Sequence, residues 1–194
     1  MNYYGLPNYE PVKRKVFISF HHNDQVEAEA FIEQWGNRQN VFIPKVLGVS
    51  DSDNFIESTN PEYVMGQIRA KYLGDSTVTI VLIGQCTHSR RYVDWEIKSS
   101  LRQGETVPNG LIGILLPGCA NRKFYPTLPP RFNQNFSKEQ ERYARYYCMP
   151  SLADELRGWI EDAYDARTLR ADLITNDQDM MKYNSVCKVC NVTH

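Results

Sequence analysis

The sequence predicts an α/β fold, an open parallel sheet with helices on both faces. Three observations predict it. Two apolar runs of strand length, 78–83 and 111–116, show no polar alternation, as expected of strands buried on both faces. Segments of helical periodicity lie between the strand-like runs, giving the order β-α-β-α-β-α-β. The connections between them are short, which places successive elements side by side.

The elements follow in order along the chain. Residues 1–14 have no periodicity and read as an extended lead-in. Residues 15–20 (KVFISF) are β-branched and aromatic, and the strand ends in His21-His22-Asn23-Asp24. From Asp24, a plausible N-cap, Val26, Ala30, Phe31 and Trp35 recur at helical spacing, and Gly36-Asn37 is expected to stop the helix. Residues 41–46 form a second strand, and Pro44 within it marks a sheet edge. A polar loop over 47–60 leads through Thr59-Asn60 to Pro61 at a first helical position, with Val64, Met65, Ile68 and Tyr72 on one face until Gly74-Asp75. Residues 77–83 are the strongest strand and suit a central position. After Gly84, Ser89 is expected to open a helix reaching about residue 102, and 111–116 form a fourth strand. Residues 117–138 read as a long loop rich in Pro, Asn and Arg. A short last strand falls within 143–149, where Tyr143, Tyr146 and Tyr147 pack it against a Ser151-capped helix over about 152–173. The tail from Thr175 is weakly patterned. The whole is a five-stranded, flavodoxin-like arrangement in one domain, 1–194, with a core at about 14–116 and an elaborated part at 117–194.

Composition removes several function classes. Among 194 residues, 22 Lys+Arg face 23 Asp+Glu, a formal charge of −1 that argues against dedicated nucleic-acid binding. No run approaches the ~18 apolar residues of a membrane span, and the first twenty residues lack the pattern of a secretory leader. Five cysteines, three of them scattered singly, point to free thiols in a reducing, cytoplasmic setting. Cys187-x-x-Cys190-x-x-x-His194 has zinc-ligand spacing but no evident fourth partner, so no metal is expected. Three Trp, twelve Tyr and eight Phe exceed what so small a core requires, which leaves aromatics for a pocket or a partner surface.

In such a sheet ligands bind at the carboxyl ends of the strands, at the topological switch point between the first and third strands. That restricts the search to residues 19–24, the loop after Ile83 and the first turns of the next helix. There Val93, Ile97 and Leu101 form a core stripe, and Glu96 lies roughly 60° from Val93 at its margin, beside Ser100 and one turn after Tyr92. Glu96 is either a surface residue paired with Lys98, Arg90 or Arg91, or a part-buried carboxylate facing the crevice with a raised pKa.

Phe17-Ile18-Ser19-Phe20 in the first strand and Ser89-x-x-Tyr92-Val93-x-x-Glu96-Ile97 in the third helix resemble the paired motifs of TIR domains. The continuation His21-His22-x-Asp24, with Gly84-x-x-Thr87-x-x-Arg90-Arg91, is closer to the bacterial TIR-like branch that includes the ThsB proteins of the Thoeris anti-phage system. The resemblance covers about 14–116. It implies that Glu96 is the catalytic residue for cleaving the nicotinamide–ribose bond of NAD. NAD is then the substrate, and no cofactor is needed. The ADP-ribose unit would be trapped as a nucleotide messenger, cyclic in the simplest case, that activates a separate effector protein. A homo-oligomer fits the reading; nucleic acid and membrane do not.

The same resemblance nominates further residues. Phe20 either stacks on a base of the dinucleotide or sits in the core. One of His21 and His22 faces the crevice, donating a structural hydrogen bond or serving the substrate. Asp24 either caps its helix or seats the ribose, and Tyr92 stands beside Glu96. The acidic stretch Asp51 to Glu57 matches the position of the loop that covers the site in the family, or is simply a solvated acidic loop, the second being preferred. Arg90 and Arg91 either meet a pyrophosphate or pair with Asp94, the second being preferred. Tyr92 stands where NAD-cleaving relatives often carry Trp, which favours the alternative of a non-catalytic TIR module assembling with partner proteins. A nucleoside deoxyribosyltransferase lacks support in the first strand, and Gly84 replaces the acidic acceptor of a receiver domain.

Overall fold

The structure is a computed structural model and describes residues 12–46, 61–68, 70, 73–104, 106–120, 127–136 and 142–194. The expected lead-in over residues 1–11, the loop 47–60 with its acidic stretch, and Tyr72 lie outside the described residues.

Five parallel strands form one sheet: β1 (Lys15–Ser19), β2 (Ile43–Val46), β3 (Val78–Ile83), β4 (Gly110–Leu115) and β5 (Arg145–Tyr147), in the order β2-β1-β3-β4-β5. This is the flavodoxin-like strand order expected from the sequence. β3 is central and every residue in it is buried, as its unbroken apolar run requires. β2 lies at the edge, where Pro44 costs no ladder hydrogen bond.

The helices are α1 (Gln25–Phe31), α2 (Pro61–Ile68), α3 (Arg91–Ser100), α4 (Pro117–Ala120), α5 (Pro130–Asn135) and α6 (Ala153–Leu169). Strand residues alternate between two faces. On one face Val16, Ile18, Ile80, Leu82, Ile112 and Ile114 pack with Phe31 of α1 and with Leu156, Ile160 and Ala163 of α6. Gly110 permits α6 to close on β4, since a Cβ there would lie 2.0 Å from the Ala163 carbonyl oxygen. On the other face Phe17, Val81, Ile83 and Leu115 meet Val64 and Ile68 of α2, Val93 and Ile97 of α3, and Phe132 of α5.

Several local expectations are corrected. The buried stripe after Asp24 is Ala28, Phe31 and Trp35, at i, i+3 and i+7, while Val26 and Ala30 face solvent. Gly36-Asn37 does not end that helix. It continues in wider, π-type turns over Ile32–Arg38, and the chain reverses at Asn40, whose φ of 52° is the left-handed conformation Asn tolerates. Ser89 does not open α3; its hydroxyl donates to the Cys86 carbonyl within a short 3₁₀ turn, and Arg90 is the N-cap. Ser151 does not cap α6 with its side chain; its backbone N–H donates to the Glu155 carboxylate, and Leu152 is the N-cap. The expected loop 117–138 contains two short helices, α4 and α5, each beginning at a proline. No helix among the described residues is long and apolar enough to cross a membrane.

Much of the aromatic excess has a place. Tyr147 stacks on Trp159 at 4.1 Å, Tyr146 meets Phe136 edge-on, and the buried Tyr143 hydroxyl donates to the Asn109 carbonyl at 2.6 Å. These rings join β5 to α5 and α6.

Candidate functional site

The carboxyl ends of β1 and β3 converge with the start of α3, and here the sequence places two acidic groups. Glu96 is 5 % exposed. The Ser19 hydroxyl at the end of β1 donates to its Oε2 at 2.6 Å. No cation forms an ion pair with it among the described residues. Loss of water around the carboxylate pushes its pKa up to about 7, against smaller opposing effects of the Ser19 hydrogen bond and the positive charge of Arg90. A carboxyl group in this setting changes charge near neutral pH.

Two of the three surface partners considered for Glu96 are committed elsewhere. Lys98 donates to the carbonyls of Asn176 and Gln178. Arg91 donates to the Lys182 carbonyl and lies over the Trp95 ring. Arg90 is half-buried, lies over Tyr92 at 5.1 Å and reaches the main-chain oxygen of His194 at 3.5 Å. The preferred pairing of Arg90 or Arg91 with Asp94 is also corrected. Asp94 is bound by Arg131 of α5, with Nε–Oδ1 at 2.9 Å and Nη2–Oδ2 at 3.3 Å, and both side chains are buried. No short-range signal could have revealed this partner, which lies 37 residues away.

Asp24 lies at the mouth of the strand ends. Its side chain makes no cap to the helix that follows. The Thr87 hydroxyl accepts from Gly84 N–H at 2.8 Å and donates weakly to Asp24 at 3.4 Å. Burial, and after it the negative charge of Glu27, raise the Asp24 carboxyl to about 6 against the opposing Thr87 hydrogen bond. Gly84 makes the arrangement possible, since a Cβ there would fall 2.0 Å from Asp24 Oδ2. A cavity of about 150 Å³ opens here, lined by Asp24, Glu27, Gly84, Cys86, Gly118 and Cys119 among others. Glu96 is not in its lining.

The remaining candidates are placed as follows. Phe20 is half-buried and packs against the apolar cluster under α1 and α6. The His21 ring is fully buried, and its Nδ1 accepts from Asn23 N–H at 3.0 Å rather than donating. Its Nε2 has no hydrogen-bond partner among the described residues. Burial first, then the nearby His22, His194 and Arg90, lower its pKa to about 3, so the ring is neutral. Tyr92 meets Trp95 edge-on at 5.2 Å and packs in the cluster of Phe17, Val64 and Ile68. Glu96, Ser19 and Arg90 therefore form one group, and Asp24, Thr87 and Gly84 another beside it. Ser19 lies within the first-strand motif Phe17-Ile18-Ser19-Phe20. Its alternation with Phe17, on the α3 side of the sheet, is the signal that could have singled it out.

The family described as Thoeris protein ThsB, TIR-like domain, matches the chain over residues 17–121, from β1 through the end of α4. No curated protein matches it.

Proposed function

The chain belongs to the TIR-like domain family of the Thoeris antiphage protein ThsB, and on that premise we propose that it is an enzyme that cleaves the nicotinamide–ribose bond of NAD. The observation that carries the reading is Glu96: a buried carboxyl group at the switch point, held by one hydroxyl and matched by no cation among the described residues. Breaking the C1′–N bond leaves its electron pair on nicotinamide, which departs neutral, and positive charge develops on the ribose. The ionised Glu96 carboxylate stabilises that charge in a site poor in water, where the interaction is strongest. A nucleophile then captures C1′ and releases a proton. Water would give ADP-ribose, and a nitrogen or hydroxyl of the same molecule would give a cyclic nucleotide.

The reading extends to signalling. The captured nucleotide serves as the messenger to a separate effector protein, and the burial of Glu96 supports a product shielded from water. Asp24 and the cavity beside it offer a second polar contact for the dinucleotide.

The test is incubation of NAD with the purified protein, and with lysate of phage-challenged cells expressing it, beside Glu96→Gln. Nucleotide products are resolved by chromatography and mass. Nicotinamide release that is absent from Glu96→Gln supports the reading. Unchanged NAD in both the purified and the challenged samples overturns it and leaves the non-catalytic interaction module. A product that survives Glu96→Gln overturns the assignment of Glu96.

A further inference from the structure

The C-terminal segment is held in place with little apolar burial to hold it. Tyr183, Val186 and Val192 are exposed, and Cys187 is the buried side chain of the stretch 181–194. Polar contacts attach it instead. Ser185 N–H donates to the Ser89 carbonyl at 2.9 Å, Lys188 N–H to His88 Nε2 at 3.1 Å, and Arg91 N–H to Asn184 Oδ1 at 3.0 Å. All three bonds land on residues 88–91, next to the loop that follows β3.

That loop carries Cys86, and the segment brings Cys187, Cys190 and His194 to it. The Cys86 sulfur lies 3.0 Å from that of Cys187 and 3.5 Å from that of Cys190, while Cys190 Sγ lies 3.1 Å from His194 Nε2. All four ligand atoms fall within 4.8 Å of one another. Zinc binds thiolate sulfur at about 2.3 Å and imidazole nitrogen at about 2.0–2.1 Å, so tetrahedral ligands stand roughly 3.5–3.8 Å apart. The cluster is close to that spacing. A single disulfide would engage two of the three sulfurs and give the third thiol and the imidazole no role.

The donor set selects the metal. Three thiols, one imidazole and no carboxylate suit zinc and exclude calcium or magnesium, which take oxygen. The surroundings also fit. Val189 N–H points to Cys187 Sγ at 3.4 Å, a donor that stabilises thiolate charge. Asn191, with φ of 58°, turns the chain so that its N–H meets the Cys187 carbonyl at 2.8 Å, closing the Cys-x-x-Cys turn. His194 Nδ1 lies 3.3 Å from Nδ2 of the Asn23 side-chain amide, whose oxygen and nitrogen exchange places on a flip of the group. With the amide oxygen turned to that nitrogen, Nδ1 carries the proton and the Nε2 lone pair is left for the ion.

We propose that Cys86, Cys187, Cys190 and His194 bind one zinc ion in a closed structural site that clamps the C-terminal segment onto the loop after β3. The fourth ligand missing from the tail motif is Cys86, 101 residues before Cys187. The clamp also reaches the candidate site. Cys86 lines the cavity beside Asp24, and the His194 ring stands 5.0 Å from His21. It is a site for an ion with no open position, and it contributes stability and placement rather than Lewis-acid chemistry.

The test is the metal content of the full chain purified without added metal, with cobalt(II) exchanged into the same protein. The expected result is one zinc per chain and, with cobalt, the intense visible absorption of a tetrahedral thiolate site. Cys190→Ser, at an exposed position, should abolish stoichiometric binding, Asn23→Ala should weaken it about 10–100-fold, and Cys148→Ser, outside the cluster, should leave it unchanged. Chelation should lower the melting temperature of the native chain and not that of Cys190→Ser. Absence of zinc, a cobalt spectrum without thiolate ligation, or a mass two hydrogens short from a disulfide among these cysteines would each overturn the proposal. The cobalt spectrum of the native chain is decisive even if a variant fails to fold.

Discussion

Two buried carboxylates stand two residues apart on α3, and the protein treats them in opposite ways. Asp94 is fully matched. It receives both arms of the buried Arg131 guanidinium and the Met181 N–H at 2.9 Å, which ties α3 to α5 and to the C-terminal segment. Arg131 spends its remaining donors on Asn176 Oδ1 and the carbonyls of Gln178 and Asp179. Glu96 has one hydroxyl donor and no ion-pair partner among the described residues. The first carboxylate ties structural elements together, and the second is the group to which the proposed function assigns the chemistry.

The largest effect should come from breaking the matched side. Arg131→Met leaves Asp94 buried without its cation and should cost about 3–5 kcal/mol, measured as the shift in denaturant midpoint. Replacing Asp94 as well with Leu should restore much of the loss. A cost below about 1 kcal/mol would erase the distinction between the two carboxylates.

The next effect belongs to the unmatched side and is read against pH. The native Glu96 holds its proton up to about pH 7, whereas the unfolded chain releases it near 4.5. Between these values the native state binds more protons than the unfolded state, so stability falls as pH rises through the window. The full fall is about 3 kcal/mol. Subtracting the unfolding free energies of Glu96→Gln from those of the native sequence should isolate it, since Asp24 titrates in both. Equal profiles would contradict the burial of an ionisable Glu96.

What the sequence discloses follows the same division. The unbroken apolar run of β3, Pro44 at the edge and the Ser19 and Glu96 motifs are local, and each reports its place through periodicity or spacing. The Asp94–Arg131 pair is not local: its members lie on different helices and only packing brings them together. Cys86 was one of three scattered cysteines until the fold carried the tail to it. The stripe of α1 was misplaced because Val26 and Ala30 satisfy a helical period as well as Ala28 does, and tertiary contact alone chooses between phases.

A smaller effect should follow at the neighbouring pocket. Gly84→Ala drives a methyl into Asp24 and should cost about 1–3 kcal/mol in thermal or denaturant unfolding. Asp24→Ala in the same chain should recover part of it. A neutral Gly84→Ala would mean that Asp24 is not held over the glycine.

Smallest is Ser19→Ala, which removes the Ser19 hydrogen bond that stabilises ionised Glu96. A bond worth about 1 kcal/mol corresponds to roughly 0.7 of a pH unit. Under the proposed function, NAD cleavage should rise with pH through about 7, and that limb should move upward by this amount in Ser19→Ala, read from initial rates of nicotinamide release. An unmoved limb would separate Ser19 from the chemistry.

The most direct measurement pairs NAD consumption with unfolding of Glu96→Gln at neutral pH. The account predicts a variant at least as stable as the native chain, because a buried charge has been removed and the amide still meets Ser19, and predicts that it leaves NAD intact. A Glu96→Gln chain that unfolds as readily as Arg131→Met, or that consumes NAD at the native rate, would contradict it.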